Sequence, residues 1–367
     1  MTRRPAARRL RVGLIGTGVG VRTYLPGFAA TGRADVVAIA GSSPARSREV
    51  AAATAVPTAH GDFRALCADQ DLDLICVTSP NEFHYEHFAA AAASGRPVVV
   101  EKPAAVDARD LRRFLRVPLA PGQQVFVDHQ LRFNPYLRRL RACLAGGEIG
   151  RPYQLRIHQQ GVGQLAAGVP WAWQFDEARG GGVRLAMGSH LVDLAGYLLG
   201  VDAWQRVTGS VDPVVAVRRD GAGGSHRVTA DSAFSAMLAN PDATALVSAS
   251  AAAAGESLLD VDVLGTAGEA HFSLRDKLRI FGADGAVRVP VPEGVEPAEA
   301  ANRVSVFKSS FTCFARALTA ALLDGDAAAV ADASMLADQE SLLGTLDAIL
   351  DSARVLSASP QPTGSTR

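Results

Sequence analysis

The sequence has few cysteines, no excess of either charge and no long apolar run, and each shortage excludes a class of protein. Its four cysteines, Cys67, Cys76, Cys143 and Cys313, lie far apart and form no C-x-x-C pair. We therefore expect a reducing compartment, with neither a disulfide framework nor a metal site. Lys plus Arg and Asp plus Glu each total 37, and nucleic acid is not expected as a partner because phosphate binding normally requires a basic excess. No apolar stretch has the length of a membrane span, so a membrane partner is not expected either.

The amino-terminal stretch is basic and contains an Arg3-Arg4 pair, which could suggest an export signal. The apolar run that follows, Val12–Ile15, is too short to be the core of such a signal. We therefore expect a cytoplasmic protein with disordered polar tails over residues 1–9 and 357–367.

A chain of 367 residues with 48% hydrophobic residues can form two domains of ordinary size. Apolar strands alternate with helices over residues 10–128, which predicts an α/β domain with a doubly wound, mostly parallel sheet. Residues 129–355 contain short strands in succession between about 205 and 291, which predicts an α+β domain with a largely antiparallel sheet. Helices are predicted over residues 22–30, 82–94, 185–199 and 331–352, and loops over residues 166–182 and 293–302.

Lys102 is the residue around which the first domain is organised. Val98–Val100 is typical of a buried parallel strand, and Pro103 must end it because proline cannot continue the hydrogen-bonded ladder. Lys102 is therefore presented at the carboxyl end of a strand, the edge of an open α/β sheet where ligands bind. A lysine in such a place can lose its proton and act as a base. Glu101 would point to the opposite side and anchor local structure; the alternative is a strand end with a solvated lysine.

A glycine-rich turn follows the first strand. Gly16-Thr17-Gly18-Val19 stands between an apolar strand and a helix, where backbone N–H groups can approach a pyrophosphate. The third glycine of a dinucleotide fingerprint would be residue 21, and here Gly20 comes one place early. The placement of the turn predicts a dinucleotide cofactor.

The end of the second strand lacks the acidic residue that would hold a ribose 2′-hydroxyl. Ser42, Ser43 and Arg46 stand there instead, and hydroxyls with an arginine suit a 2′-phosphate. This pattern favours NADP over NAD. The alternative is an ordinary polar loop with its arginine in water.

Further candidates follow the third strand and lie in the second domain. Ser79, Pro80, Asn81 and His84 are expected near the nicotinamide, although Asn81 could simply cap the following helix. His190 begins a helix soon after Gly180-Gly181-Gly182, where glycines permit close approach to a ligand, so it is a candidate substrate contact or else a buried core histidine. Trp171 and Trp173 could stack on a sugar face or serve as packing anchors.

Taken in order, these motifs make the chain resemble the glucose–fructose oxidoreductase / inositol dehydrogenase / MocA family over residues 11–352. The motifs that carry the resemblance are Gly16-Thr17-Gly18, Pro80-Asn81 with His84, Glu101-Lys102-Pro103, Arg132-Phe133-Asn134-Pro135, and Gly180-Gly181-Gly182 with Gly188-Ser189-His190 and Asp193.

The resemblance implies a Rossmann domain followed by a domain with an open-faced antiparallel sheet. It implies a nicotinamide cofactor, a sugar, cyclitol or similar substrate, and a homodimer or homotetramer packed through the sheet faces. It also implies proton transfer by Lys102 and substrate contact by His190. Many members of the family carry an Asp four residues before that histidine, on the same helix face, and here the position is Ala186.

The function expected is therefore an NAD(P)-dependent oxidoreductase acting on a small carbonyl or alcohol, with an imine as a further option. Lys102 and His190 are the expected catalytic residues, and Ala186 predicts a pocket wall that favours substrates with fewer hydroxyls. Two alternatives stay open: a glycosidase that oxidises its substrate transiently, and a non-catalytic dinucleotide sensor. The residues leave the substrate, the direction of reaction and the oligomeric state open.

Overall fold

The computed structural model of the protein describes residues 8–165, 168–282, 285–288, 292 and 305–358. The chain divides into two compact units. The first unit is formed by Met1–Cys143 and Arg288–Glu340, and the second by Leu144–Val287 and Ser341–Arg367. The chain thus leaves the first unit and returns to it, whereas the sequence predicted two consecutive domains that meet at residues 128 and 129.

The strands, in chain order, are β1 (Leu10–Ile15), β2 (Ala34–Ala40), β3 (Thr58–His60), β4 (Leu74–Val77), β5 (Val98–Val100), β6 (Val125–Val127), β7 (Pro152–Val162), β8 (Arg206–Asp212), β9 (Val217–Arg219), β10 (Ser225–Arg227), β11 (Ala233–Ala239), β12 (Thr244–Ala253), β13 (Leu258–Gly265), β14 (Gly268–Ser273), β15 (Lys277–Gly282), β16 (Gly285–Arg288) and β17 (Ser334–Met335).

The α-helices are α1 (Leu25–Ala29), α2 (Pro44–Thr54), α3 (Phe63–Ala68), α4 (His84–Ala93), α5 (Ala108–Phe114), α6 (Pro135–Ala145), α7 (Val183–Ala186), α8 (Gly188–Leu199), α9 (Val306–Asp324) and α10 (Gln339–Ala358). A π-helical turn, Gly20–Tyr24, leads directly into α1.

The first unit is built on a seven-stranded sheet in the order β17-β6-β5-β4-β1-β2-β3. The six strands from β1 to β6 run parallel, and β17 joins β6 antiparallel. The central strands are apolar and buried on both sides, as expected where helices cover both faces of a parallel sheet. The predicted doubly wound sheet is confirmed.

Helix α9 supplies aromatic side chains to the core of the first unit. The Phe311 ring lies 4.1 Å from the ring of Tyr24 and 5.6 Å from that of Phe28, measured between centroids. Among the described residues, α9 is the one helix long and apolar enough to cross a membrane by those two criteria. Because Phe311, Phe314 and Leu318 are buried in the core, this is weak evidence for a membrane segment.

The second unit is built on an eight-stranded sheet in the order β16-β15-β14-β13-β7-β12-β11-β8. The central pair β7 and β12 is parallel, and the neighbouring pairs from β8 to β15 are antiparallel. Strands β9 and β10 form a separate two-stranded hairpin. Burial alternates along β11, β12 and β13, so one face is packed and the other is open to solvent. The predicted, largely antiparallel sheet is confirmed.

The predicted helix over residues 331–352 is wrong at its start. Residues 334–335 form β17, and the helix begins only at Gln339, whose side-chain amide donates to the Ser334 hydroxyl at 2.9 Å. The sequence is rich in helix formers here, but the open edge of β6 offers backbone partners that outweigh local propensity.

Three other expectations differ from the structure. The polar loop that stayed open as an alternative for residues 41–48 contains most of the first two turns of α2, and the helix predicted over 185–199 is interrupted at Met187. Within the tail predicted over residues 1–9, Arg8 and Arg9 form ion pairs with Asp73 and Asp35. Residues 1–7, 166–167, 293–302 and 359–367 of the predicted tails and loops lie outside the described residues.

Candidate functional site

The glycine turn is packed directly against the end of β4. Gly16 has φ +112°, and a Cβ there would lie 2.5 Å from the carbonyl oxygen of Thr78. A Cβ on Gly20 would lie 2.4 Å from the Thr78 hydroxyl, which itself donates to the carbonyl oxygen of Ile15 at 3.0 Å. Gly20 therefore gives the close approach of helix and strand that the fingerprint assigns to its third glycine.

The other residues of this turn are open to a ligand. A Cβ on Gly18 would meet nothing within 4 Å, and Thr17 and Val19 flank it partly exposed. Gly18 thus leaves its backbone accessible at the carboxyl end of β1, the arrangement that a pyrophosphate needs. The predicted residues from Gly16 to Val19 fit a dinucleotide.

The residues after β2 lie beside this turn. A Cβ on Gly41 would come within 3.1 Å of the Thr17 methyl group. Ser43 caps α2 by accepting from the backbone N–H of Arg46 at 3.2 Å, so its hydroxyl also has a structural role that the sequence did not reveal. The Arg46 guanidinium pairs with Glu49 at 2.8 Å on the surface. Ser42, Ser43 and Arg46 are all exposed.

The buried His84 side chain links the segments that follow β4 and β5. Its Nε2 lies 2.8 Å from the carbonyl oxygen of Ser79, and its Nδ1 lies 3.1 Å from that of Pro103. Burial lowers the pKa of His84, which favours the neutral imidazole. Pro80 and Asn81 lie in the segment after β4 that His84 contacts, just before α4. The structure therefore gives His84 the task of holding the backbone after β4 against the backbone that follows Lys102.

Lys102 follows β5 at the edge where β1, β4 and β6 also end. The backbone N–H of Glu101 donates to the carbonyl oxygen of Val77, and that of Asp128 donates to the carbonyl oxygen of Val100, each at 2.9 Å. Two acidic residues thus follow neighbouring strands in register. Glu101 is 7% exposed and Asp128 0%, whereas Lys102 is half-buried.

Burial shifts the pKa of each of these three groups. It lowers the pKa of Lys102, and the nearby Glu101 and Asp128 carboxyls partly oppose this effect. It raises the pKa of both carboxyls, and that of Asp128 lies well above its usual range. A lysine that can lose its proton and carboxyls that can keep theirs are suited to acid–base chemistry.

Sequence reasoning missed Asp128, although it noted the strand that ends there. It also missed His87, whose Nδ1 lies 2.8 Å from the Ser79 hydroxyl. The His87 ring contacts the rings of Phe63 and Phe83, at centroid distances of 4.3 and 6.0 Å. Asp128 could have been found from its position after a buried strand, whereas nothing in the sequence pairs His87 with Ser79.

The predicted residues of the second unit lie around α7 and α8. Asp231 occupies the space beside Gly182, which has φ +108°, and its carboxylate accepts from the Arg184 backbone N–H at 2.6 Å. The glycine run therefore makes room for the half-buried Asp231 carboxyl beside the start of α7. His190 is 5% exposed on α8, whereas Ala186 is exposed at the end of α7. The chain is interrupted between them at Met187, so they do not share one uninterrupted helix.

Trp171 packs against the hairpin of β9 and β10. Its ring stacks on His226 at 4.6 Å, and its backbone N–H donates to the carbonyl oxygen of Arg219 at 2.7 Å. These are the contacts that a packing anchor makes. Trp173 opens the short 3₁₀ turn Trp173–Phe175 and is partly exposed. Among the residues that the structure describes, no group of three or more His, Cys, Asp or Glu side chains could hold a metal ion.

Two family models match the chain. One describes an oxidoreductase family with an NAD-binding Rossmann fold and matches residues 10–129. The other describes the C-terminal domain of GFO/IDH/MocA proteins and matches residues 137–271.

Curated relatives are dehydrogenases and reductases by name. A 1-carboxy-3-chloro-3,4-dihydroxycyclohexa-1,5-diene dehydrogenase of Comamonas testosteroni is 27% identical over 56% of this chain and 54% of its own length. A 1,5-anhydro-D-fructose reductase of Ensifer adhaerens is 29% identical over 54% of this chain and 59% of its own length. The chain spans about half the length of the curated relatives it matches.

Solved structures share the fold over nearly the whole chain. A levoglucosan dehydrogenase in complex with NADH and levoglucosan matches with a TM-score of 0.81 and 21% identity, over 95% of this chain and 98% of that one. An oxidoreductase domain protein from Kribbella flavida matches with a TM-score of 0.82 and 22% identity, over the same shares of the two chains. At such identities these likenesses show the fold.

Proposed function

Because the chain belongs to the GFO/IDH/MocA oxidoreductase family, we propose that it is an NAD(P)-dependent oxidoreductase. The reaction is hydride transfer between nicotinamide and a sugar-like, cyclitol or related small carbonyl or alcohol. The single observation that carries this proposal is the position of half-buried Lys102 at the carboxyl edge of a parallel sheet whose first turn fits a dinucleotide. Relatives named for inositol and for 1,5-anhydro-D-fructose support the substrate class.

The cofactor would be held by the first unit. Gly16 and Gly18 would lie against the pyrophosphate, and the segment from Ser79 to Asn81 would lie toward the nicotinamide, as the carboxyl ends of β1 and β4 require. When bound, the nicotinamide supplies or accepts the hydride. Ser42, Ser43 and Arg46 support a preference for NADP, because these exposed donors stand where NAD-specific proteins carry an acid.

Lys102 would handle the proton. When an alcohol is oxidised, neutral Lys102 would accept the hydroxyl proton, and when a carbonyl is reduced, protonated Lys102 would donate to the developing alkoxide. Burial lowers its pKa, which brings the neutral, proton-accepting form closer in free energy to the protonated form. Glu101 and His84 would position the lysine segment rather than react.

The second unit would contribute substrate contacts. We assign this role to His190, whose buried imidazole follows a glycine run, and to Trp173, whose ring is partly exposed. Trp171 is a weaker candidate because it already stacks on His226. At Ala186 a methyl group cannot pair with a substrate hydroxyl, so we propose a substrate with fewer hydroxyls, such as a deoxy-sugar, a keto compound or an imine.

Lys102→Ala tests the function. We expect turnover to fall by about 10²–10⁴-fold, because a general acid/base is lost, while NADPH binding measured by fluorescence changes little. Lys308→Ala is the matched control, since Lys308 is exposed on α9. Near-normal turnover in the Lys102 variant would contradict the mechanism. One reduced cofactor per product is expected, and product without net cofactor reduction would instead support the transient oxidation of a glycosidase.

A further inference from the structure

The hairpin of β9 and β10 is inserted between two strands that need no long connection. Strands β8 and β11 are antiparallel neighbours, and their residues Asp212 and Ala233 pair directly. A turn of about two residues can join such strands, but residues 213–232 stand between them and include the hairpin. Connections that are longer than the join requires commonly carry function. The contacts of the hairpin therefore indicate what the insertion does.

The hairpin holds residues 168–175, which we call the tryptophan segment because they include Trp171 and Trp173. The backbone N–H of Trp171 donates to the carbonyl oxygen of Arg219 on β9 at 2.7 Å. The Trp171 ring stacks on the His226 ring of β10, with 4.6 Å between the ring centroids. Both strands of the hairpin thus contact the middle of the segment.

Arg218 on β9 attaches the same segment through its side chain. Its Nη1 donates to the carbonyl oxygen of Val169 at 3.1 Å, and its Nη2 donates to that of Gln164. Its guanidinium lies over the Phe175 ring, 4.3 Å from the centroid. Arg218 is 5% exposed, and among the described residues no carboxylate pairs with it. Because a buried arginine is usually paired with an acid, one that donates to main-chain carbonyl groups instead serves to hold the backbone.

The other side of the tryptophan segment is fixed to the glycine run that precedes His190. Directly after Trp173, the Gln174 carbonyl oxygen accepts from the Gly182 N–H at 3.1 Å. A Cβ on Gly181 would lie 2.5 Å from that oxygen, so the two backbones are in close contact. Trp173 is therefore held between the start of α7 and the hairpin, within the second unit.

We propose that the β9–β10 hairpin fixes the tryptophan segment for substrate binding, and that Arg218 is the positioning residue that gives Trp173 one orientation. This proposal rests on the proposed function, in which Trp173 contacts the substrate. A ring that is fixed before the substrate arrives loses less conformational freedom on binding, so the affinity is higher. Arg218 acts through Trp173 and does not touch the substrate. Its effect therefore falls on KM rather than on kcat.

Arg218→Met tests the proposal, because it removes the donors and keeps an apolar side chain beside Phe175. Kinetics are measured with NADP and the best substrate of a panel of inositol, glucose and 1,5-anhydro-D-fructose. We expect the substrate KM to rise about tenfold, with kcat changed less than about threefold and NADPH affinity unchanged. Arg218→Lys should restore part of the loss, since a lysine can donate to one carbonyl but lacks the planar fork. Arg219→Met, at an exposed side chain of the same strand, is the control. A parental KM in Arg218→Met overturns the proposal.

Quenching of tryptophan fluorescence by acrylamide gives a second reading that needs no turnover. The sequence has three tryptophans, so a Trp204→Phe background leaves the two of the tryptophan segment as reporters. The quenching constant should rise about twofold in Arg218→Met, because a released segment opens to solvent, and stay unchanged in Arg219→Met. If Arg218→Met does not fold, His226→Ala serves instead, since it removes the ring stacked on Trp171 and should raise both KM and quenching. Unchanged quenching overturns the proposal.

The proposed function and the proposed role of Arg218 fail in different ways. A fully active Lys102→Ala variant would refute the role of Lys102, and acrylamide quenching would still report whether Arg218 holds the tryptophan segment. An inactive Lys102→Ala variant, with KM and quenching of Arg218→Met equal to those of the parent, would overturn only the proposal about Arg218. A looser segment with a parental KM would also overturn it, because the hairpin would then not serve substrate binding.

Discussion

At the scale of single residues, Arg46 decides the choice of cofactor in the proposed function. Its guanidinium is exposed after β2 and pairs with Glu49, an exposed ion pair that contributes little to stability and can exchange partners. A 2′-phosphate offers a stronger, charge-assisted partner.

We expect Arg46→Ala to weaken NADP binding about tenfold and NAD binding by less than twofold, because only NADP carries the 2′-phosphate. Titration of both cofactors by fluorescence measures this. Arg48→Ala, at another exposed arginine of α2, is the control and should change neither affinity. Equal affinity of the parent protein for the two cofactors would contradict the preference.

Single residues also show how far sequence reasoning reaches into the site. Lys102 and the glycine turn were predictable, because a Val-Val-Val strand ended by Pro and a G-x-G turn each have local causes. The assignment of His84 to the nicotinamide was made from its motif, and the structure shows it between the carbonyl groups of Ser79 and Pro103. The contact with Pro103 joins residues 19 apart in the chain and leaves no local pattern.

At the scale of elements, the turn after β1 has two glycines with different tasks. Gly20 allows the helix to approach Thr78 closely, whereas Gly18 faces open space. Gly20 is required for packing, whereas the role we propose for Gly18 is cofactor binding, so substitutions should separate stability from cofactor binding.

We expect Gly20→Ala to lower the free energy of unfolding by about 1–3 kcal/mol, because the new methyl group would lie 2.4 Å from the Thr78 hydroxyl. Gly18→Ala should change it by less than about 0.5 kcal/mol and weaken NADPH binding instead. Urea unfolding measures the first effect and fluorescence titration the second. In the double variant with Thr78→Ala, the loss should be smaller than the sum of the single losses. Strictly additive losses would show that the clash is not the cause.

Elements that form through contacts with other elements could not be predicted from the sequence. The strands β1, β4 and β5 are continuous apolar runs, and their strand character is local. Strand β17 has only two residues and forms because the edge of β6 provides its partners. Helix α2 begins at a polar Ser-Pro step for which a loop stayed open as an alternative, and in the structure the Ser43 hydroxyl caps the helix by accepting from the Arg46 N–H.

At the scale of the whole molecule, the first unit is completed by a segment near the carboxyl end of the chain, Arg288–Glu340. The returning segment adds β17 to the sheet and α9 to the core, and Arg33 pairs with Asp324 at 2.7 Å within that unit. Hydrophobic periodicity predicts helices and strands, but it does not predict that the chain returns to the first unit. Nothing in the sequence of residues 305–340 indicates which strands and helices they pack against. For this reason the boundary between the two predicted domains could be placed only at residue 128, where the composition of the chain changes.

The stability of the first unit should also depend on pH through two histidines of α4, the buried His84 and the half-buried His87. Burial lowers the pKa of His87 to about 4, below its ordinary value of 6.5, and nearby His84 shifts in the same direction. Between pH 6.5 and about pH 4, His87 is mostly protonated in the unfolded chain and mostly neutral in the folded chain. The stabilisation is therefore complete above about pH 6.5 and is lost as the pH falls toward 4.

His87→Asn should reduce this acid sensitivity. Asparagine places an amide near the position of the imidazole Nδ1, so a hydrogen bond to Ser79 can be kept while the titrating group is removed. We expect the fall in Tm between pH 7 and pH 5 to be about 2–4 °C smaller in the variant than in the parent. His158→Asn is the matched control, because His158 is exposed and also bonds a serine hydroxyl, at 2.8 Å. The same fall in Tm for the parent and for His87→Asn would show that His87 takes up its proton equally easily in the folded and unfolded chains. The aromatic pair Phe63 and Phe83 would then not shield it from water.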